Sequence, residues 1–224
     1  MAFNMTLSPA LVIGSKNYSS WSLRAWLLLR QFDIVFNEIK LPLDTPEFYA
    51  RIGTYSPAGR VPVLIDSEVH VWDSLAICEY ANERFLDGRG WPADRVARAR
   101  ARSVSAEMHA GFTALRDALP MNCRKREPTP TLSDAAARDI ARVLSIWGEA
   151  RELHADHGPF LFGRFSIADA IYAPVVLRFV SYTIALDASA REYVETIAGL
   201  PALGEWLAEA ATEPLAPLHE RRSP

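Results

Sequence analysis

The chain has 224 residues, half of them hydrophobic and 23% charged, with a formal net charge of -3. This is the composition of a globular protein with a full hydrophobic core, and it excludes a disordered or collagen-like chain. The balanced charge also argues against a nucleic-acid partner, since the arginines at 95–102 are matched by acidic residues elsewhere.

The first 86 residues alternate between short β-type runs and helical runs. Strands are predicted at 10–13, 35–41, 61–66 and 69–72, and helices at 21–31 and 75–85. The connection over 42–59 contains three prolines and two glycines, so any helix there should be short and irregular. The predicted order is therefore βαβ, a long loop, and then ββα.

The rest of the chain is predicted to be helical. Glycines and a proline at 88–92 end the preceding helix, so we predict a first domain at 1–86, a linker at 87–94 and an all-helical domain at 95–224. Apolar residues recur at helical spacing in two stripes, which are Val104, Met108, Phe112, Leu115 and Leu119, and Ala136, Ile140, Val143 and Trp147. Three prolines at 120–130 indicate a connection between two long helices.

The run Ser166-Ile167-Ala168-Asp169 predicts a helix start. The Ser166 hydroxyl can accept from the amide three residues on, while Asp169 reaches back to the Ser166 amide, which makes a capping box. The helix that follows should be buried, and Pro174 should kink it rather than end it.

Cys78 and Cys123 are the only cysteines and lie far apart, so neither a redox pair nor a metal cluster can be built from them. A reduced, cytoplasmic setting fits this pattern. The sequence has no signal-peptide pattern and no apolar run near the ~18 residues that would span a bilayer. We therefore expect a soluble intracellular protein without membrane contact and without a metal.

Two features eleven residues apart could form a ligand clamp. Pro62 opens a predicted strand, and a cis Val61-Pro62 bond would turn the Val61 amide and carbonyl toward a ligand backbone. Ser74 lies where the next helix begins, which offers an anion site, and Asp73 before it can hold an ammonium group. Each feature alone is more typical of an edge strand or a helix cap, but together they suit an amino-acid-like end.

With the helical second half and the Ser-Ile-Ala-Asp box, this pairing resembles the glutathione transferase superfamily over nearly the whole chain. The resemblance implies a thioredoxin-like first domain in which a cis Val61-Pro62 peptide pairs with the cysteinyl backbone of glutathione. It implies that Asp73 and Ser74 bind the γ-glutamyl end and that Arg60 lies near the glycine carboxylate, as a cation opposite an anion. It also implies glutathione as co-substrate and a two-fold homodimer.

Activation of the thiol requires a donor at the start of the first helix. Lowering a thiol pKa from about 8.5 to about 6.5 takes roughly 2.7 kcal/mol, which one hydrogen bond and a helix N-terminus nearly supply. A theta-like match selects Ser20, a beta-like match Ser19 and a zeta- or tau-like match Asn17, with Tyr18 as a further donor. We rank Ser20 and Ser19 first, although either serine could simply cap the helix. No cysteine is present there, which argues against mixed-disulfide chemistry.

The second substrate should lie along the first helix of the second domain. Met108, Phe112 and Leu115 would form an apolar wall there, unless they belong to the core. His109 and Arg116 are seven residues apart and so would share a helix face. If that face borders the cleft, Arg116 could bind an acidic substrate and His109 could act as an acid or base; otherwise both are solvated or supporting.

We expect a transferase that directs the glutathione thiolate at a small electrophile, as in detoxification. A glutathione-dependent peroxidase or a maleylacetoacetate-type isomerase is the alternative, although the Ser-Ser-Trp-Ser run departs from the zeta Ser-Ser-Cys pattern. A third hypothesis is a glutathione-binding module without catalysis.

Overall fold

The computed structural model describes residues 8–215. Its sheet has four strands, which are β1 (Ala10–Ile13), β2 (Asn37–Lys40), β3 (Val63–Asp66) and β4 (Val69–Val71). They lie in the order β2-β1-β3-β4, with β1 parallel to β2 and antiparallel to β3, and β3 antiparallel to β4. The predicted thioredoxin-like order, βαβ and then ββα, is confirmed.

Nine α-helices occur in the described part of the chain. They are α1 (Ser20–Gln31), α2 (Pro46–Arg51), α3 (Ser74–Phe85), α4 (Arg95–Ala110), α5 (Thr113–Ala118), α6 (Asp134–His154), α7 (Ile167–Ser181), α8 (Ala188–Ala198) and α9 (Pro201–Thr212). The loop helix α2 is short and continues as a 3-10 turn at Ile52–Thr54, as the prolines and glycines predict. Every element after α3 is helical, which confirms the all-helical second domain; its exact limits at 86 and 95 remain a prediction.

Helix α7 is the centre of the hydrophobic core. All of its residues except Val180 are buried, because α1 packs on it from the first domain and α4 packs on it from the second. Helix α1 also packs against α3 beneath the sheet. The two domains therefore share one core, and the start of α1 is held directly against the helical domain.

One helix prediction was wrong. The apolar stripe from Val104 to Leu119 indicated a continuous helix, but α4 ends at Ala110 and α5 begins at Thr113. Between them Phe112 has φ 58°, in the left-handed region that cannot continue a right-handed helix. His109 and Arg116 therefore lie on different helices and do not share a face.

The predicted capping box is present at the start of α7. The buried Asp169 carboxylate accepts hydrogen bonds from the Ser166 amide at 2.9 Å and the Ser166 hydroxyl at 3.0 Å. It also accepts from the Leu161 amide at 3.1 Å and the Tyr193 hydroxyl at 3.2 Å. Burial raises the pKa of Asp169 to about 6 despite these four bonds. The helix then continues through Pro174.

Within residues 8–215, no helix is both long enough and apolar enough to cross a bilayer.

Replacing Asp169 with alanine should destabilise the protein far more than removing an ordinary cap. The change leaves four buried donors without their acceptor, so the free energy of unfolding should fall by at least about 3 kcal/mol. The matched control is Asp187→Ala, which removes one cap bond, donated by the Ala190 amide to Asp187 Oδ1 at 2.8 Å, and should cost about 1 kcal/mol. Urea unfolding measures both variants, and equal losses would contradict the central role of Asp169.

Candidate functional site

A cleft of about 500 Å³ opens between the start of α1 and the helical domain. Residues from four segments line it, namely 18–21, 43–49, 59–61 and 116–125, together with Arg178 and Tyr182. Its size is typical of a small-molecule site, and it lies between two domains, where such sites are common.

Six of the predicted site residues line this cleft. They are Tyr18, Ser19, Ser20, Arg60, Val61 and Arg116. Pro62 is buried directly behind Val61, and the Val61–Pro62 peptide is cis. The strand entry and the start of α1 therefore meet at one opening.

Ser19 and Ser20 differ in what their hydroxyls do. Ser19 caps α1: its Oγ accepts from the Ser22 amide at 3.4 Å, and its hydroxyl donates to Ser22 Oγ at 2.7 Å. Ser20 Oγ instead accepts from Arg178 Nη2 at 3.4 Å. No acceptor among residues 8–215 receives the Ser20 proton. The Ser20 hydroxyl can therefore donate to a ligand, whereas the Ser19 hydroxyl already donates to Ser22.

Asn17 does not reach the cleft. Its side chain is buried, and Oδ1 accepts from the Arg124 amide at 3.2 Å. Its carbonyl accepts from the Cys123 amide at 3.2 Å, and its amide donates to Glu213 Oε2 at 3.0 Å. These bonds turn Asn17 toward the helical domain, so the geometry does not favour it as the donor to a thiol in the cleft.

Helix α9 holds the loop that precedes α1 in place. Lys16 is completely buried, and its Nζ lies 2.9 Å from Glu38 and 2.8 Å from Glu209. The ammonium also lies over the rings of Trp26 at 4.7 Å and Trp206 at 5.3 Å. Trp206 Nε1 donates to the Lys16 carbonyl at 2.9 Å, so both the backbone and the side chain of this residue are fixed.

The predicted γ-glutamyl residues lie at the start of α3, outside the cleft lining. Asp73 Oδ1 accepts from the amides of Leu75 at 3.0 Å and Ala76 at 3.3 Å, which caps the helix. Its second oxygen, Oδ2, lies 2.9 Å from His109 Nε2. The Ser74 hydroxyl is fully buried and has no hydrogen-bond partner in the described part of the chain, which is uncommon for a buried polar group.

His109 joins the helical domain to this acidic residue. Its ring meets the Trp21 indole edge-on, with 5.1 Å between centroids, and Trp21 lines the cleft. Burial lowers the pKa of His109 below its ordinary value, and the positive charges of Arg24 and Arg116 lower it further, while Asp73 raises it in part. The imidazole is therefore neutral at neutral pH.

Met108 and Phe112 are core residues rather than a wall of the cleft. Met108 is 2% exposed and Phe112 8% exposed, and neither lines the opening. The reason is that α4 packs against α7, so its apolar stripe faces inward. The predicted apolar wall therefore does not lie at the cleft.

Sequence reasoning missed an arginine cluster around Trp21. The guanidinium carbons of Arg24 and Arg116 lie 4.3 and 4.7 Å from the Trp21 ring centroid. Arg178 donates to the carbonyls of Leu119 and of Arg116, the latter at 3.2 Å. Burial, with added repulsion from Arg116, lowers the pKa of Arg24 to about 9 and that of Arg178 to about 10. A lone arginine inside an apolar helix was the available signal for Arg178.

Comparison with known proteins matches both domains to one family. The model of the glutathione S-transferase N-terminal domain matches residues 18–84, and that of the glutathione S-transferase C-terminal domain matches residues 94–209. A glutathione transferase homolog from Burkholderia GL BGR1, solved with bound glutathione, superposes with a TM-score of 0.70 at 23% identity, covering 92% of this chain and 100% of the other.

Two curated relatives are also similar. A probable maleylacetoacetate isomerase of Caenorhabditis elegans is 23% identical over 87% of this chain and 90% of its own length. A dichloromethane dehalogenase of Methylorubrum extorquens is 40% identical over 62 residues, which are 27% of this chain and 21% of that protein. The family uses glutathione as co-substrate, and the two domain matches together with this fold show that the chain belongs to the glutathione S-transferase family.

Proposed function

We propose that the protein is a glutathione transferase that ionises the glutathione thiol and directs it at a small electrophile. The observation that carries this proposal is the Ser20 hydroxyl, which lies in the cleft at the start of α1 with its proton available. The helix N-terminus and the cation of Arg178 beside it favour a negative charge at the same point.

Glutathione is bound by the residues that the sequence singled out. The Val61 backbone pairs with the cysteinyl unit, and Arg60 attracts the glycine carboxylate. Asp73 takes the γ-glutamyl ammonium, and the unpartnered hydroxyl of Ser74 donates to the γ-glutamyl carboxylate. The buried state of that hydroxyl supports this role, because a carboxylate would satisfy it.

The chemistry needs few groups. Ser20 donates to the sulfur, the thiol proton passes to solvent, and the thiolate forms a bond to the electrophilic carbon. In a substitution the leaving group departs to solvent with its bonding electron pair; in an addition the π electron pair moves to the neighbouring atom, which takes a proton from water. One hydrogen bond to the anion, worth about 1.5–3 kcal/mol, covers most of the stabilisation that a thiolate at neutral pH needs. Arg178 adds to it by polarising the Ser20 hydroxyl from behind.

An isomerase acting on an acidic diketone is the second candidate. Two arginines, Arg116 and Arg178, line the cleft, and the full-length relative from Caenorhabditis elegans is named a probable maleylacetoacetate isomerase. Turnover of maleylacetoacetate without consumption of glutathione would identify this reaction.

The sequence-based expectations of a cytoplasmic homodimer with a role in detoxification are also part of this proposal. Both cysteines are buried and free, and burial raises the pKa of each thiol to about 12, which is compatible with a reducing compartment.

Ser20→Ala should raise the pKa of the bound glutathione thiol by about 1–2 units, since it removes the donor to the anion. The value of kcat/KM with 1-chloro-2,4-dinitrobenzene at pH 6.5 should fall roughly 5- to 50-fold, in proportion to the thiolate fraction. Ultraviolet difference spectra of the thiolate, recorded against pH, measure the shift.

Ser19→Ala is the matched control. It removes the cap of α1, so it should lower the free energy of unfolding by about 1 kcal/mol while leaving the thiol pKa nearly unchanged. An unshifted thiol pKa in Ser20→Ala, or a larger shift in Ser19→Ala, would mean that the wrong serine was chosen.

The affinity for glutathione should weaken as the pH falls from 7.0 to 5.0. Protonated His109 places a charge beside Asp73 that repels the γ-glutamyl ammonium, which costs about 1 kcal/mol, or roughly fivefold in Kd. The pKa of His109 is lowered, so this loss begins below about pH 6.5, where folding also weakens because the unfolded chain binds more protons.

Calorimetry with S-methylglutathione across this pH range tests the effect, since this ligand has no thiol that could ionise in the site, while its ammonium titrates above about 7.5 and its carboxyl groups below about 4. His109→Gln should flatten the profile. A variant that keeps the wild-type slope would assign the pH dependence to another group.

A further inference from the structure

The arginine cluster around Trp21 lacks an acidic partner. Arg24 is 2% and Arg178 7% exposed, and Arg116 is half-buried. None of the three forms an ion pair with a carboxylate of residues 8–215; Asp73, Asp117 and Asp139 act on them only from a distance. Buried cations in proteins are normally paired, because an unpaired buried charge is costly.

Two of the three guanidiniums face the cleft. Arg116 and Arg178 line it, whereas Arg24 does not and lies against the Trp21 ring. Every acceptor that they use is neutral: Arg116 donates to the carbonyls of Met108 and His109, and Arg178 donates to two carbonyls and to Ser20. Arg116 Nη1 and both Nε groups have no acceptor in the described chain, although a guanidinium has five donors.

The cleft as a whole is cationic. Among its lining residues are four cationic side chains, Arg60, Arg116, Lys125 and Arg178, against one carboxylate, Asp44. Such a field concentrates anionic ligands in the cleft. Arg60 comes from the first domain and is already assigned to the glycine carboxylate of glutathione, and Lys125 Nζ lies 3.2 Å from Glu127 Oε1, which leaves Arg116 and Arg178 for a different anion.

We propose that Arg116 and Arg178 bind a carboxylate on the second substrate, so that the preferred electrophile is an anion. This inference rests on the proposed transferase function and names its substrate class. A carboxylate held by these arginines would lie beside Ser20, because Arg178 contacts both the site and that hydroxyl. The electrophilic carbon of the same molecule is thereby brought near the sulfur.

A pair of aryl chlorides that differ in one charge tests the inference. 4-Chloro-3-nitrobenzoate and its methyl ester both react by forming a bond between sulfur and the ring carbon, with loss of chloride to solvent. The kcat/KM of each is divided by its uncatalysed rate with glutathione, which removes the intrinsic difference in reactivity. The wild-type protein should favour the benzoate at least tenfold.

Arg116→Met should abolish this preference, lowering the normalised kcat/KM of the benzoate at least tenfold while changing that of the ester less than threefold. Arg116→Lys should retain most of the preference, because it keeps the charge. The matched control is Arg191→Met, which removes an exposed arginine that also donates to a carbonyl, that of Leu186, and does not line the cleft; it should leave both rates unchanged.

Several results would overturn the inference. One is equal normalised rates for benzoate and ester in the wild type, a comparison that needs no variant. A second is a raised KM for glutathione in Arg116→Met with the preference intact, which would assign the arginines to glutathione. A third is a raised thiol pKa in that variant with the preference intact, which would assign them to the thiolate.

Calorimetry separates failure of the inference from failure of the proposed function. If neither these two chlorides nor 1-chloro-2,4-dinitrobenzene is turned over, the proposed function fails. The glutathione-loaded wild type is then titrated with 3-nitrobenzoate and with 3-nitrobenzamide. Binding of the benzoate at least ten times more tightly would support the anion site on its own, and equal binding would refute it.

Discussion

The site depends on the two ion pairs of the buried Lys16 ammonium. It is enclosed by two tryptophan rings and held by Glu38 of the first domain and Glu209 of the helical domain. A buried cation is costly unless it is paired, so the loop is held in place by carboxylates from both domains. Since that loop leads directly into α1, the ion pairs of Lys16 fix where Ser20 and Trp21 enter the cleft.

The shared core extends this constraint to the chemistry. Packing of α1 on α7 brings Arg178 to the Ser20 hydroxyl, and the end of α4 brings His109 to Asp73. Residues of the helical domain therefore orient the side chains of the first domain that are proposed to contact glutathione. In the transferase that we propose, the helical domain supplies charge to the glutathione site as well as a wall for the second substrate.

Features with local physical causes could be predicted from the sequence. The strand at Ala10–Ile13, the capping box of Ser166 and Asp169 and the placement of Val61 at the opening follow from spacing, caps and proline geometry within a few residues. Features set by packing between distant elements could not.

The sequence made Asn17 a plausible donor to the thiol. In the structure its side chain instead accepts from the Arg124 amide, 107 positions away, and so is turned toward the helical domain. Arg178 was hidden in an apolar helix for the same reason, since its cleft contacts are made with α1 and the α5 region. The break at Phe112 places His109 and Arg116 on separate helices, and both helices are anchored in the core, α5 through the fully buried Leu115. In the transferase that we propose, the helical domain therefore serves the two substrates through two different helices.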